Sequence, residues 1–254
     1  MLRDTGEDKM IRGLIIALQF LSRLPVNIAV DFNKANIRKS TFYFPFVGLL
    51  LGLIASLVYY LLNPFNNQIA SFLTLLITIV LTGGLHLDGL SDTADGFFSN
   101  KDRETTLEIM KDSRIGAFGV ISLILLIFFK YILISNLGYK LPVALALSMG
   151  NSRLIVLIQI ASKRIARPGG LGDMVHKSKP QKYILSSIGL YLLVVIYMDI
   201  KFLIPLIISL IGGEMISAYS YKKIGGLTGD VYGAIIELSE LVSLLSYWGV
   251  FIWI

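Results

Sequence analysis

The sequence predicts an all-α fold, a polytopic helical bundle integral to a membrane. Three observations point there. Of 254 residues, 55% are hydrophobic and only 16% are charged, with a mean hydropathy of +0.72, which leaves too little polar surface for an ordinary globular protein. Apolar runs of roughly twenty residues, the length a helix needs to cross hydrocarbon, recur along the chain. The turns between these runs alternate between strongly basic and nearly uncharged.

The first apolar stretch, 10–30, carries Arg12, Gln19 and Arg23 at helical spacing and ends at Pro25. One face therefore stays polar, which predicts an interfacial or re-entrant helix; the alternative is an ordinary first span with snorkelling arginines. A cleavable signal peptide is not expected, given the acidic start (Asp4, Glu7, Asp8) and the lack of a small-residue cleavage site. About seven transmembrane helices follow, at 42–62, 68–87, 115–135, 141–162, 183–199, 202–220 and 232–254. No internal repeat, low-complexity stretch or linker divides the chain, so residues 1–254 read as one membrane-embedded domain. The absence of cysteine removes disulfides and thiolate ligands or nucleophiles from consideration.

The basic residues set the orientation. Arg23, Lys34, Arg38 and Lys39 lie in 23–41; Lys101, Arg103, Lys111 and Arg114 lie in 88–114. Segment 163–182 adds Lys163, Arg164, Arg167, Lys177, Lys179 and Lys182, and 221–231 adds Lys222 and Lys223. The intervening turns, near 63–67, 136–140 and 199–201, hold at most one lysine each. By the positive-inside rule the long basic loops face the cytoplasm of a cell-membrane protein. They also hold the unusual polar motifs, so the chemistry is expected on that face.

Foremost among these motifs is GGLHLDGLSDTADG, Gly83 to Gly96. On a helix Asp88, Asp92 and Asp95 stand at i, i+4 and i+7, so their carboxylates share one face. Three like charges at the edge of hydrocarbon need compensation, and Mg²⁺ bridging to phosphate is the expected agent. His86 is placed to act as a general base, or to orient a carboxylate or contact substrate; with two histidines and no cysteine a zinc site is not expected. His176 reads as a solvated side chain. The run LEIMKDSRIGAFG, Leu107 to Gly119, adds Lys111, Asp112 and Arg114, setting phosphate-neutralising cations close to the acids, a combination suited to phosphoryl or nucleotidyl transfer.

The third basic loop contains RPGGLG, Arg167 to Gly172, where glycine-rich backbone beside arginine suits a phosphate-bearing ligand or, equally, a plain flexible loop. The last reads GGLTGDVYGAIIELSE, Gly225 to Glu240, and leads Asp230, Glu237 and Glu240 into the final span. Acids inside a membrane are functional candidates. The structural alternative pairs them with Arg153, which follows Asn151 and Ser152 inside the span 141–162.

In this order LQFLSRLPV (Leu18 to Val26), GGLHLDGLSDTADG, LEIMKDSRIG, Ser152-Arg153, RPGGLG and GGLTGDVYGAIIELSE resemble the cobalamin synthases, the adenosylcobinamide-GDP ribazoletransferases of cobalamin biosynthesis. The resemblance covers nearly the whole chain. It implies a Mg²⁺-dependent enzyme that joins adenosylcobinamide-GDP to α-ribazole or its 5′-phosphate and releases GMP, with the ribazole 5′-hydroxyl as the expected nucleophile. It also implies Asp88, Asp92, Asp95, His86 and Arg114 as catalytic residues, the three aspartates holding the metal. Substrate contacts are then expected from Arg23, Lys111, Asp112, Arg153, Arg167, Gly170, Gly172, Thr228, Asp230 and Glu240. The lipid bilayer is an expected partner, nucleic acid is not, and a homo-oligomer is compatible with the chain. Two departures stand out. Many members carry an acidic residue in the glycine-rich loop where this chain has glycine, so that loop is not expected to supply an indispensable metal ligand; Ser22 replaces a commoner threonine.

Three competitors fit less well. DTADG echoes the opening of the CDP-alcohol phosphotransferase motif, but Phe97 to Asn100 replaces its continuation. Intramembrane prenyltransferases space their first aspartates in the reverse order and carry a second acidic loop that has no counterpart among Lys163 to Lys182. A transporter would explain Arg153, Glu237 and Glu240 as a polar pathway, yet inverted repeats are absent and the polar motifs gather on one side.

Overall fold

A computed structural model describes residues 6–253; Asp4 lies outside the described residues. The helices are α1 (Gly6–Leu21), α2 (Lys34–Ser40), α3 (Phe44–Leu62), α4 (Asn67–Thr82), α5 (Leu85–Phe98) and α6 (Arg103–Ile109). They continue as α7 (Ala117–Leu137), α8 (Leu141–Ser162), α9 (Gly170–Lys177), α10 (Gln181–Met198), α11 (Leu203–Ile224) and α12 (Gly229–Trp253). No strand occurs among the described residues; one isolated parallel bridge pairs Ile165 with Leu227.

Five helical runs are long and apolar enough to cross a membrane, or six if α4 and α5 form one broken span, as befits a polytopic membrane bundle. One of the five, 117–162, contains both α7 and α8. In a straight helix Lys130 and Arg153 would stand about 35 Å apart. Both instead hydrogen-bond Glu240, so the chain reverses at the turn Gly138–Lys140, in keeping with separate expected spans at 115–135 and 141–162.

Two expectations change in detail. The span 68–87 is not continuous: α4 stops at Thr82 and α5 leaves at 88° to it. Gly83 and Gly84 both adopt left-handed backbone (φ 67° and 69°), a pairing that breaks a helix and that glycine tolerates without a steric penalty. Three backbone donors satisfy the carbonyls freed there: Gly84 N–H to Ile79 O at 3.2 Å, Gly83 N–H to Val80 O at 3.2 Å and Arg23 N–H to Leu81 O at 2.6 Å. Helix α1 ends at Leu21, well before residue 30, and its sixteen residues measure about 24 Å, less than the roughly 30 Å of hydrocarbon. Gln19 Nε2 donates to Val26 O (3.1 Å) and Ile28 O (2.9 Å), folding the following segment back along the helix, while Ile15, Ile16, Ala17 and Leu21 are buried.

At the centre α3 lies directly on α8. Gly48 and Gly52 face the α8 backbone at Met149 and Ala146 so closely that neither position has room for a methyl group, the small-residue spacing that lets membrane helices touch. Leu51, Ala55, Leu145 and Leu147 fill the seam. Tyr191 of α10 donates to Asn151 Oδ1 (2.8 Å), and Asn151 Nδ2 donates to Ser243 Oγ of α12 (2.9 Å), tying three helices together inside the bundle.

The bundle has two dissimilar ends. At one, Asn67 Nδ2 donates to Ser135 O (2.9 Å), Lys140 Nζ to Phe251 O (2.9 Å), and Phe202 packs on Tyr247 and Phe251. The basic connections gather at the other.

Candidate active site

At that second end α5 crosses the start of α12. Gly89 meets the backbone of Asp230 too tightly for a side chain, and Gly233 lies close against the backbone of His86 and Gly89. This contact sets Asp88 and Asp92 on α5 near Asp230 on α12. Beside it opens a cavity of about 230 Å³. Phe20, Phe44, Val156, Ile160, Val175 and Ile236 form its apolar wall; His86, Asp88, Asp230 and Tyr232 form its polar side, and Gly172 also borders it. His86 Nε2 and Tyr232 Oη are buried and have no hydrogen-bond partner among the described residues.

The basic loops close over this region as one unit. Ala166 N–H donates to Leu227 O (2.8 Å) and Leu227 N–H to Arg164 O (2.9 Å), joining the third loop to the fourth. Arg103 adds the second loop, donating from Nε to Ile224 O (3.0 Å) and from Nη2 to Ala166 O (3.2 Å). Thr228 opens α12: its Oγ1 accepts Val231 N–H (3.3 Å) and donates to Asp230 Oδ2 (3.2 Å). Arg167 Nη2 lies 3.7 Å from the same Asp230 oxygen. Thr228, Asp230 and Arg167 are thus brought together as candidates.

The three aspartates of α5 have different surroundings. Asp88 is exposed and Asp92 half-buried. Asp95 Oδ2 accepts Gly116 N–H (2.7 Å) and its Oδ1 accepts Gly119 N–H (2.9 Å), so it caps the N-terminus of α7, where backbone donors lack intrahelical partners. Among the described residues, no group of three or more His, Cys, Asp or Glu side chains is gathered as a ready metal site. The expected three-aspartate cluster is therefore not preformed, because the third carboxylate is committed to α7.

Arg114 is engaged by its neighbour Asp112, through Nη2 to Oδ2 (2.6 Å) and Nε to Oδ1 (3.0 Å), and its side chain is otherwise in solvent. Hydrogen bonding from this guanidinium holds the Asp112 carboxyl at about 2, below the usual carboxylate range. Lys111 is exposed. Arg23 is exposed too and lies across Gly83 at the α4–α5 break. Gly169 and Gly170 take positive φ (104° and 78°) and open α9, where Asp173 Oδ2 accepts Gly169 N–H (2.9 Å) and pairs with Lys177 Nζ (2.6 Å). Those two contacts, the lysine first, lower the Asp173 pKa. His176 is not simply solvated: its Nδ1 lies 2.8 Å from Ile160 O, docking α9 on α8.

Arg153 and Glu240 sit deeper. Arg153 is fully buried and bonds Glu240 Oε2 through Nη1, while Lys130 Nζ donates to Glu240 Oε1 (2.8 Å) and Glu237 Oε2 (2.6 Å). Two cations and two carboxylates thus form a neutral buried quartet. It borders a void of about 10 Å³, and none of its members lines the larger cavity. Lys130, Arg103 and Tyr232 went unassigned in the sequence. Lys130 carried a signal, as the lone charge in an otherwise apolar run of a spanning helix; the other two did not.

The family model described as cobalamin-5-phosphate synthase matches residues 13–248. A Clostridium botulinum (strain Loch Maree / Type A3) protein named adenosylcobinamide-GDP ribazoletransferase is 38% identical over 242 residues, covering 93% of this chain and 97% of its own length. Proteins of the same name from Treponema denticola (38% over 257 residues, 92% and 96% covered) and Caldanaerobacter subterraneus subsp. tengcongensis (38% over 242 residues, 93% and 98%) are similar to the same degree. No solved structure matches the chain.

Proposed function

The chain belongs to the cobalamin-5-phosphate synthase family, and from that premise we propose that it transfers the cobinamide-phosphoryl group of adenosylcobinamide-GDP to α-ribazole or α-ribazole 5′-phosphate. The products are adenosylcobalamin or its 5′-phosphate, and GMP. One correction to the expected chemistry follows from the family's product. A 5′-phosphate that survives into the product means that the 5′-oxygen is already blocked, so a secondary ribose hydroxyl is the nucleophile. Its oxygen bonds to the cobinamide-side phosphorus, the bond from that phosphorus to the bridging oxygen breaks, and the hydroxyl proton passes to a carboxylate at the cavity mouth.

The observation that carries this reading is the meeting of Asp88 and Asp230 at the rim of a mostly apolar cavity, with Asp92 beside them on α5, beneath loops that carry Arg167 and Arg103. Asp230, oriented by Thr228, is the proton acceptor, and Arg167 beside it faces the phosphate charge. Asp88 and Asp92 offer hard oxygen donors without competing thiolates, which suits Mg²⁺; such ions commonly take only one or two protein carboxylates and complete their shell with substrate phosphates and water. When bound there, Mg²⁺ would supply charge neutralisation at the diphosphate. Asp95 positions α7 and the preceding loop. The charge asymmetry supports a cytoplasmic active-site face in the cell membrane.

The test is direct. Protein purified into nanodiscs is given adenosylcobinamide-GDP, α-ribazole or its 5′-phosphate, and Mg²⁺, with GMP and cobamide followed together. Equimolar appearance of both is expected; failure to form either from both acceptors refutes the assignment.

A further inference from the structure

Resting on that reading, we infer that the 230 Å³ cavity between α5, α8 and α12 is the seat of the ribazole base. Size decides first. Pockets that enclose a whole drug-sized ligand run from about 300 to 1,000 Å³. This cavity is smaller, so it takes a fragment: the corrinoid macrocycle and an entire nucleotide are excluded, while a two-ring aromatic base is not.

Chemistry decides between the two bases that the reaction brings. Guanine carries hydrogen-bonding groups along most of its edge, and each one buried without a partner costs about 1–3 kcal/mol. Against Phe20, Phe44, Val156, Ile160, Val175 and Ile236 most of that edge would go unmet. The benzimidazole of ribazole presents an apolar carbocycle and, with its other nitrogen bonded to ribose, a single ring-nitrogen acceptor. Only that one acceptor then needs a partner, against the several polar groups that guanine would leave unmet. Seating the base here also carries the attached ribose toward Asp88 and Asp230, which border the same cavity. The loops are left to hold the guanosine diphosphate.

The experiment separates this inference from the activity itself. Binding of α-ribazole alone to the nanodisc-embedded full chain is measured by calorimetry, and KM for each substrate is measured on wild type and Ile160→Phe. Filling the cavity should weaken α-ribazole binding and raise its KM by about tenfold or more, with KM for adenosylcobinamide-GDP within about twofold, since pocket walls discriminate by roughly such factors. If Ile160→Phe does not fold, Ile160→Ala serves instead, and should shift acceptor preference toward a bulkier naphthimidazole riboside by about tenfold. Active protein in which the tested variant changes neither binding nor preference overturns the base seat, as does equal wild-type use of an α-linked adenine riboside. Ribazole binding that Ile160→Phe or Ile160→Ala alters, in protein forming no GMP, would sustain the seat and sink the transfer reaction.

Discussion

Glu240→Gln should destabilise the protein more than it alters substrate affinity. Glu240 is paired on both oxygens, with Lys130 Nζ at 2.8 Å and with the fully buried Arg153. Neutralising it turns a balanced quartet into two cations and one anion. Lys130 keeps Glu237 at 2.6 Å, but Arg153 keeps only Ser152 Oγ (2.9 Å) and the Met149 carbonyl as acceptors. Removing one partner of a buried pair costs about 3–5 kcal/mol. At roughly 2–4 °C per kcal/mol for a chain of this size, the melting temperature should fall by about 6–20 °C. The double variant Arg153→Met/Glu240→Gln removes both charges of the pair while sparing Lys130–Glu237, and should recover at least half the loss. Differential scanning fluorimetry in nanodiscs reads both, beside KM for adenosylcobinamide-GDP measured well below the transition. A Glu240→Gln protein that melts with wild type yet shows a large rise in KM would refute the structural role and make Glu240 a substrate contact.

Asp92→Asn keeps the side chain's shape but removes a hard anionic ligand; a loss of about 3–5 kcal/mol of transition-state stabilisation would cut turnover by roughly two to four orders of magnitude, and unchanged maximal rate and Mg²⁺ dependence would remove Asp92 from the metal site. Asp95→Ala deletes the acceptor for Gly116 and Gly119 N–H and should cost about 1–2 kcal/mol while increasing trypsin cleavage in 99–116; Asp95→Asn, with one acceptor oxygen left, should fall between it and wild type in thermal unfolding. The chain contains no cysteine, so Lys101→Cys, Lys179→Cys and Phe65→Cys report topology cleanly. An impermeant thiol reagent added to intact cells should label only position 65, and the opposite pattern would reverse the proposed orientation.

Continuous apolar length is a local property, and helices that depend on it were readable. Helices α3 and α8 follow the expected 42–62 and 141–162 closely. Hydropathy also ran straight through Gly83 and Gly84, because a left-handed pair interrupts hydrogen bonding without interrupting apolarity. The aspartate spacing placed three acids on one helical face, but the destination of Asp95 depends on Gly116 and Gly119, more than twenty residues away, which no periodicity encodes. Arg153 and Glu240 were visible as membrane acids and bases with pairing as one of their two readings; the quartet needed Lys130 as well. The orphaned Tyr232 hydroxyl is a property of packing alone.

The quartet also imposes an order on biogenesis. Lys130 and Arg153 are synthesised on α7 and α8, whereas both carboxylates that neutralise them arrive on α12. A chain growing from its N-terminus therefore holds two uncompensated cations at membrane depth while α10 and α11 are still being made, a costly state in which water or lipid headgroups must stand in. Docking of α12 ends that state, and through Gly89 and Gly233 it also brings Asp230 to α5. Charge neutralisation in the membrane and assembly of the catalytic rim are thus one late event, so an immature chain carries no competent site.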